Sequence, residues 1–312
     1  TGKVAARYAD ADERFRVLSL SENRGLHLAR RAGVEQCRGE YVIFLDADDE
    51  LSPSALEDLV SAMGESRPDM VHFGIEVVSS GVSEADCKAF AANVNRPLEA
   101  VSGDELCHLV FDGDGGYVQD WRVTQRAYRT ELAREAFLAM TDERLERAED
   151  CYEFLVLADH AHEQVTVNDV RALRYFYGRG VTGTSLVGAD VFARFCEQFR
   201  ACVDAMRDYA SSRSDASVDA HVKGATEKLL DLLMNDWLRR VGDDEKSAAA
   251  QEAVKAFGAG VIAAQIMRLV RDAAYDALST GRSLGEAGPL SLWFHIAECL
   301  ADEAESLPES YG

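Results

Sequence analysis

Apolar and polar positions along this chain fall into two textures. Up to about residue 188, short apolar runs are separated by helical repeats; beyond it only helical repeats remain. Arg16 to Leu20 (RVLSL) is predicted as a short strand, and Leu26 to Cys37 as a helix entered through a turn at Asn23 and Gly25. Tyr41 to Leu45 (YVIFL) is a continuous apolar, β-rich run, the pattern of a strand buried on both faces of a parallel sheet. It ends abruptly in acids. Ser52 as N-cap and Pro53 at the first helical position predict a helix to about Met63. Asp69 to Val78 is a further strand. Strands and helices alternating at this spacing predict an α/β fold with a mostly parallel, doubly wound sheet flanked by helices. Such sheets bind ligands at the carboxyl ends of their strands.

Ser79 to Val118 is less regular and carries a glycine-rich stretch, Phe111 to Gly116 (FDGDGG), which lacks the other ligands of a calcium loop and reads as a turn. Trp121 to Ala161 has a helical pattern. Tyr175 to Ser185 interrupts it with aromatics, an arginine and glycines, which suits a binding loop. From Ala189 onward, Phe192, Phe195, Phe199 and Met206 recur at helical spacing, as do Val222, Leu229, Leu233 and Trp237, then Val261, Ile266 and Leu269. The expected organisation is therefore an α/β domain over 1–188 and an all-α domain over 189–312.

Charge narrows the choice of partners. With 55 acidic against 33 basic residues the formal charge is -22, which disfavours nucleic acid and anionic lipid as broad partners. An anionic ligand would need a local metal ion or a few placed basic groups. The seven cysteines form no C-x-x-C pair and are odd in number, which points to buried thiols in a reducing compartment rather than a disulfide framework. No apolar run approaches the roughly 20 residues of a membrane span. The chain opens Thr1-Gly2-Lys3 without methionine, so its natural N-terminus is expected further upstream.

Asp46, Ala47, Asp48 and Asp49 form the sharpest chemical feature. Three carboxylates in four residues repel one another and call for a compensating positive charge. A magnesium or manganese ion held by one or two carboxylates plus substrate phosphates would supply it. A solvated acidic turn ahead of the next helix is the alternative.

The stretch from Glu22 to Val60 also resembles the core of the family 2 glycosyltransferases with the GT-A fold. The resemblance rests on Asn23 and Gly25, the Ala29-Arg30 pair, Gly39-Glu40-Tyr41, the acids Asp46 to Asp49, and Pro53 to Glu57 at several fixed spacings. It implies that Asp46, Ala47 and Asp48 line a nucleotide-sugar site, that Asp46 and Asp48 hold Mn2+ or Mg2+, and that Arg30, Asn23 and Gly25 lie close to the nucleotide. Downstream, Glu149-Asp150 resembles the family's acidic pair at a helix start. Asp150 would be the general base and Glu149 its neighbour; an acceptor hydroxyl must lose a proton as it attacks the anomeric carbon. The plain alternative is the acidic first turn of an amphipathic helix. Trp121 with Tyr128-Arg129, and Tyr175, Tyr177 and Arg179, resemble elements that would contact acceptor or diphosphate, although core aromatics would look the same.

The resemblance implies inverting transfer from a nucleotide diphosphate sugar, a UDP-sugar first, to a glycan of the bacterial cell surface, in the cytoplasm or at the inner face of the membrane. Two departures stand out. Arg31 occupies a position where members often carry asparagine, and the resemblance implies that the family's first strands and base-gripping acidic turn would precede Thr1, since Lys3 to Tyr8 resembles the helix after that turn. Weak nucleotide binding by the chain as given is the expectation. A phosphatase of the haloacid dehalogenase type, which also places a D-x-D after an apolar strand, and a non-catalytic sugar-binding or scaffolding module remain as alternatives.

Overall fold

A computed structural model describes residues 2–112, 119–179 and 185–302. Five strands form one mixed sheet: β1 (Tyr41–Ile43), β2 (Glu50–Leu51), β3 (Met70–Ser79), β4 (Arg126–Arg129) and β5 (Gln164–Tyr177), in the order β1-β4-β3-β5-β2. The helices are α1 (Gly2–Ala11), α2 (Gly25–Gln36), α3 (Ala55–Met63), α4 (Glu84–Val94), α5 (Gly103–Cys107), α6 (Thr130–Ala139), α7 (Glu149–His160), α8 (Ala189–Arg213), α9 (Ala216–Arg240), α10 (Lys246–Phe257), α11 (Ala259–Ser279) and α12 (Leu290–Asp302).

The α/β class holds, with the sheet mixed rather than mostly parallel. β3 and β5 pair in parallel from Met70↔Gln164 to Ser79↔Tyr177, whereas β4 runs antiparallel to both β1 and β3, and β2 antiparallel to β5. The strands β1, β3 and β5 therefore share a direction. Their carboxyl ends, the start of β4 and the acids after β1 all fall at one end of the sheet. The first six positions of β3 are buried in succession, so this strand has the double-sided burial that the sequence suggests for Tyr41 to Leu45. β1 stops at Ile43; Phe44 then turns into the core against Tyr128 and Phe137, while Leu45 is exposed.

Two other expectations are corrected. Arg16 to Leu20 is not a strand: Val17, Leu18 and Leu20 are exposed, and no described strand lies beside them. An apolar run becomes a strand only where a neighbour completes its ladder. Pro53 does not open α3. Ser52 N–H donates to Ala172 O of β5, Pro53 and Ser54 turn the chain, and the helix begins at Ala55.

Each face of the sheet has its own core. On one side Ala55 and Leu59 of α3 and Val94 of α4 cover Val71, Phe73, Ile75 and Leu173. On the other, α6 and α7 pack against Met70 and Tyr128, and the same apolar cluster continues without a break through Phe192, Trp237, Ile262 and Leu300 of the C-terminal helices. All seven cysteines are free thiols. No helix among the described residues is long and apolar enough to cross a membrane.

Candidate active site

A cleft of about 480 Å3 opens at the carboxyl end of β1. Asp46 to Asp49 form one wall. Facing residues come from four other elements: Leu26 and Arg30 of α2, Arg122 to Thr124 ahead of β4, Glu149 and Asp150 at the start of α7, and Tyr175 and Arg179 at the end of β5. A second cavity of about 490 Å3, between β1 and α3, is lined mainly by apolar side chains and contains none of these acids.

Arg30 joins the two acidic groups. Its guanidinium donates to Glu153 Oε2 at 2.7 Å and to Asp46 Oδ1 at 3.3 Å, and lies 3.8 Å from Glu149. Burial works against its charge, but Glu153, Asp46, Glu149 and Asp150 outweigh that cost and raise its pKa. Behind it, His27 Nε2 lies 3.0 Å from the Thr141 carbonyl and Nδ1 lies 3.0 Å from Glu153 Oε1, both side chains fully buried. A carbonyl only accepts, so Nε2 carries a hydrogen, and a proton is shared between Nδ1 and the Glu153 carboxyl. Neither His27 nor Glu153 stands out in the sequence. The signal was available in the helical spacing of Glu149 and Glu153, which puts both on one face of α7.

Glu149 and Asp150 sit at the start of α7, where the helix dipole favours carboxylates. Burial nevertheless raises both; repulsion from Glu153 and Asp46 adds to the rise at Glu149, and repulsion from Glu149 adds to that at Asp150. Asp150 is pushed up to about 7, with the Arg30 and Arg122 charges offsetting part of the rise. The side chain of Asp150 is enclosed by protein except where it faces the cleft. On the opposite wall Asp49 is committed to structure: it accepts from Phe176 N–H at 3.0 Å and is itself raised by burial. Asp48 is exposed to the cleft. Among the described residues no three His, Cys, Asp or Glu side chains gather into a metal cage.

Arg122 is the cleft cation that the sequence patterns leave unmarked. It pairs with Asp120 at 2.6 Å, and its guanidinium carbon lies 5.3 Å and 5.1 Å from the ring centres of Phe90 and Tyr175. Fully buried Arg126 fixes this segment by donating to the carbonyls of Asp120 and Arg122, both at 2.8 Å.

Comparison with known proteins gives this cleft its context. Residues 1–86 match the family model for glycosyl transferase family 2. The match covers the N-terminal region of the chain, including the acids Asp46 to Asp49. The uncharacterized glycosyltransferase EpsJ of Bacillus subtilis (strain 168) is 31% identical over 151 residues, 48% of this chain and 41% of that protein. The putative glycosyltransferase EpsH of the same strain is 39% identical over 62 residues, 20% of this chain and 18% of the relative. The chain thus spans less than half the length of these curated relatives. Among solved structures, S. aureus TarS 1-349 in complex with UDP-GlcNAc superposes with a TM-score of 0.56 at 16% identity, covering 96% of this chain and 79% of that one. That likeness in fold takes in the C-terminal helices as well as the sheet. With a family 2 match in place, nothing supports the phosphatase alternative.

The cleft gathers Arg30, Asp46, Ala47, Asp48, Glu149, Asp150, Tyr175 and Arg179. Other residues singled out in the sequence stand outside its lining. Asn23 Oδ1 accepts from Gly25 N–H at 3.0 Å and shapes the entry to α2. Gly25 has φ of +81°, and a Cβ there would come within 2.7 Å of the Leu145 carbonyl, so glycine is required by close approach of the two loops. Trp121 stacks on Phe111 at 6.1 Å, and Tyr128 is fully buried, donating to Val123 O. Tyr177 stacks on Phe90 at 4.5 Å. The binding loop expected over Tyr175 to Ser185 begins as the end of β5; residues 180–184 lie outside the described residues, as do 113–116 of the glycine-rich stretch.

Proposed function

We propose that this chain carries the catalytic cleft of an inverting glycosyltransferase that takes its sugar from a UDP-sugar and gives it to a bacterial surface glycan. The observation behind this reading is the meeting, in one cleft, of a half-buried carboxyl raised to about 7 and the Asp46 to Asp48 acids. A base poised near neutral pH matches the removal of a proton from an acceptor hydroxyl. The acceptor oxygen forms its bond to the anomeric carbon while the bond from that carbon to the diphosphate oxygen breaks. The acceptor proton passes to Asp150, and the bonding pair leaves with the diphosphate.

Asp46 and Asp48 would hold Mn2+ or Mg2+, since hard cations of this kind are bound by one or two carboxylates with substrate phosphates and water completing the shell. The ion would supply Lewis-acid stabilisation of the departing diphosphate. Arg179 at the end of β5 and Arg122 beneath it would face the same anion. Arg30 serves a different part, its charge already spent on Glu153, Asp46 and Glu149. The relatives' names support a polysaccharide acceptor: they include a putative teichuronic acid biosynthesis glycosyltransferase, TuaG, and the succinoglycan biosynthesis protein ExoO. The UDP-GlcNAc complex of TarS supports a UDP-linked donor.

The test is a donor screen with Mn2+ and a panel of UDP-, GDP- and dTDP-sugars, following release of nucleoside diphosphate. Turnover with one class of donor, lost on adding a chelator and in Asp48→Asn, is the expected result. Absence of turnover with every donor, at donor and Mn2+ concentrations high enough to offset weak nucleotide binding, contradicts the reading.

A further inference from the structure

The segment that delivers the paired acids to the cleft has an unusual backbone. Ala148, immediately before α7, is in the left-handed region with φ +61° and ψ 14°. A residue with a Cβ is disfavoured there and stays only where its surroundings fix it. Those surroundings come from the C-terminal helices. Gln198 Nε2 of α8 donates to Glu146 at 2.9 Å, and Arg147 pairs with Asp236 of α9 at 2.5 Å. The Arg147 guanidinium lies over the Phe195 ring with its carbon 4.0 Å from the ring centre. The Cys202 thiol of α8 donates to the Ala148 carbonyl at 3.1 Å. Three successive residues, Glu146, Arg147 and Ala148, are thus each held by the helical part just before Glu149 and Asp150.

We propose that α8 and α9 act as a clamp on this turn, making Arg147, Asp236 and Cys202 positioning residues for the Asp150 carboxylate. The proposal rests on the reading of Asp150 as base. The turn is the pivot of α7. Releasing its carbonyl or its arginine lets Ala148 relax toward an ordinary backbone angle and swings the first turn of the helix, with Asp150, away from the acceptor oxygen. Misplacement of a reacting group by about 1 Å costs on the order of 100-fold in rate. The residues read as facing the diphosphate, Asp46, Asp48, Arg122 and Arg179, lie beside β1, β4 and β5 rather than on the turn that the clamp holds. The effect therefore falls on kcat and spares donor binding.

The experiment compares Asp236→Ala, Cys202→Val and Cys202→Ser with the wild type and with Asp150→Asn, using the donor that gives turnover in the screen above. Cys202→Val removes the donor to Ala148 at the cost of one added methyl group, whereas Cys202→Ser keeps a donor. Expected are kcat losses of roughly 10- to 100-fold in Asp236→Ala and Cys202→Val, donor KM within about twofold of wild type, and near-normal turnover in Cys202→Ser. Wild-type kcat in folded Cys202→Val and Asp236→Ala beside an inactive Asp150→Asn overturns the clamp and leaves the base assignment standing. So does a kcat loss matched by an equal rise in donor KM, the mark of general loosening. Wild-type kcat in Asp150→Asn, or no turnover by the wild type with any donor, removes the reading on which the clamp depends.

Discussion

Asp150 shows at the scale of one side chain how chemistry and stability oppose each other. Its carboxyl belongs near 3.8 in the unfolded chain and rises to about 7 in the fold because protein surrounds it and Glu149 repels its charge. Between those values the folded state holds a proton that the unfolded state has released, so folding stability falls as pH rises through that window. Asparagine removes the cost. Asp150→Asn should therefore unfold at a higher temperature than wild type at pH 8, by the equivalent of about 1 kcal/mol given the side chain's open face to the cleft, with the advantage vanishing near pH 3.5. Paired thermal melts at the two pH values check this. Asp150 was legible in the sequence only through resemblance; its acidic neighbourhood alone fits a surface helix start equally well. Glu153 was marked only by its helical spacing from Glu149, no pattern marked Arg122, and His27 owes its place to residues distant in sequence. His27 and Glu153 are separated by 126 positions and meet as a fully buried pair.

At the scale of elements, the strong apolar periods were the readable ones. The helix of residues 25–36, the strand of 70–79 and the C-terminal helices follow from pattern. β4 and β5 did not. β4 is four residues long, and its sequence Arg126-Ala127-Tyr128-Arg129 runs straight into α6, so its period of two is swallowed by a helical period. In β5 the register against β3 slips between Phe73↔Val167 and Gly74↔Arg171, and the extra residues break the alternation that would mark a strand. The helical part has its own local device. Lys246, fully buried at the start of α10, donates to the carbonyls of Trp237, Leu238 and Val241 at the end of α9, and Trp237 Nε1 donates back to Lys246 O at 3.0 Å. These carbonyls have no partner within their own helix. Lys246→Ala should cost about 2–3 kcal/mol, the usual worth of charge-assisted bonds to buried acceptors, read as a lowered denaturant midpoint with unchanged slope.

At the scale of the whole molecule, charge and packing explain why the cleft is where it is. A chain of net charge -22 has no broad field to attract a diphosphate, so affinity must be local. Most of the local cations are already engaged: Arg30 by three carboxylates and Arg122 by Asp120. On the proposed reading, Arg179 and a divalent ion at Asp46 and Asp48 would supply the rest of the positive charge. Packing supplies the other half. The apolar cluster runs unbroken from Val34 through α7 to Leu300, so the C-terminal helices brace the side of the sheet that carries Glu149 and Asp150 and are more than a tail. The change of texture at residue 189 was visible in the sequence; this continuity of the core was not, since side-chain periodicity says which face is apolar and not what covers it.

The central claim is that Asp150 is the base of the transfer reaction. The pH dependence of kcat, measured for wild type and Asp150→Asn at saturating donor and Mn2+, tests it most directly. A base at Asp150 gives a wild-type rate that rises with pH through about 7, as the carboxyl loses its proton, and a variant slower by roughly 100- to 10,000-fold with no such rise. A variant that keeps the wild-type rate at pH 8 would contradict it.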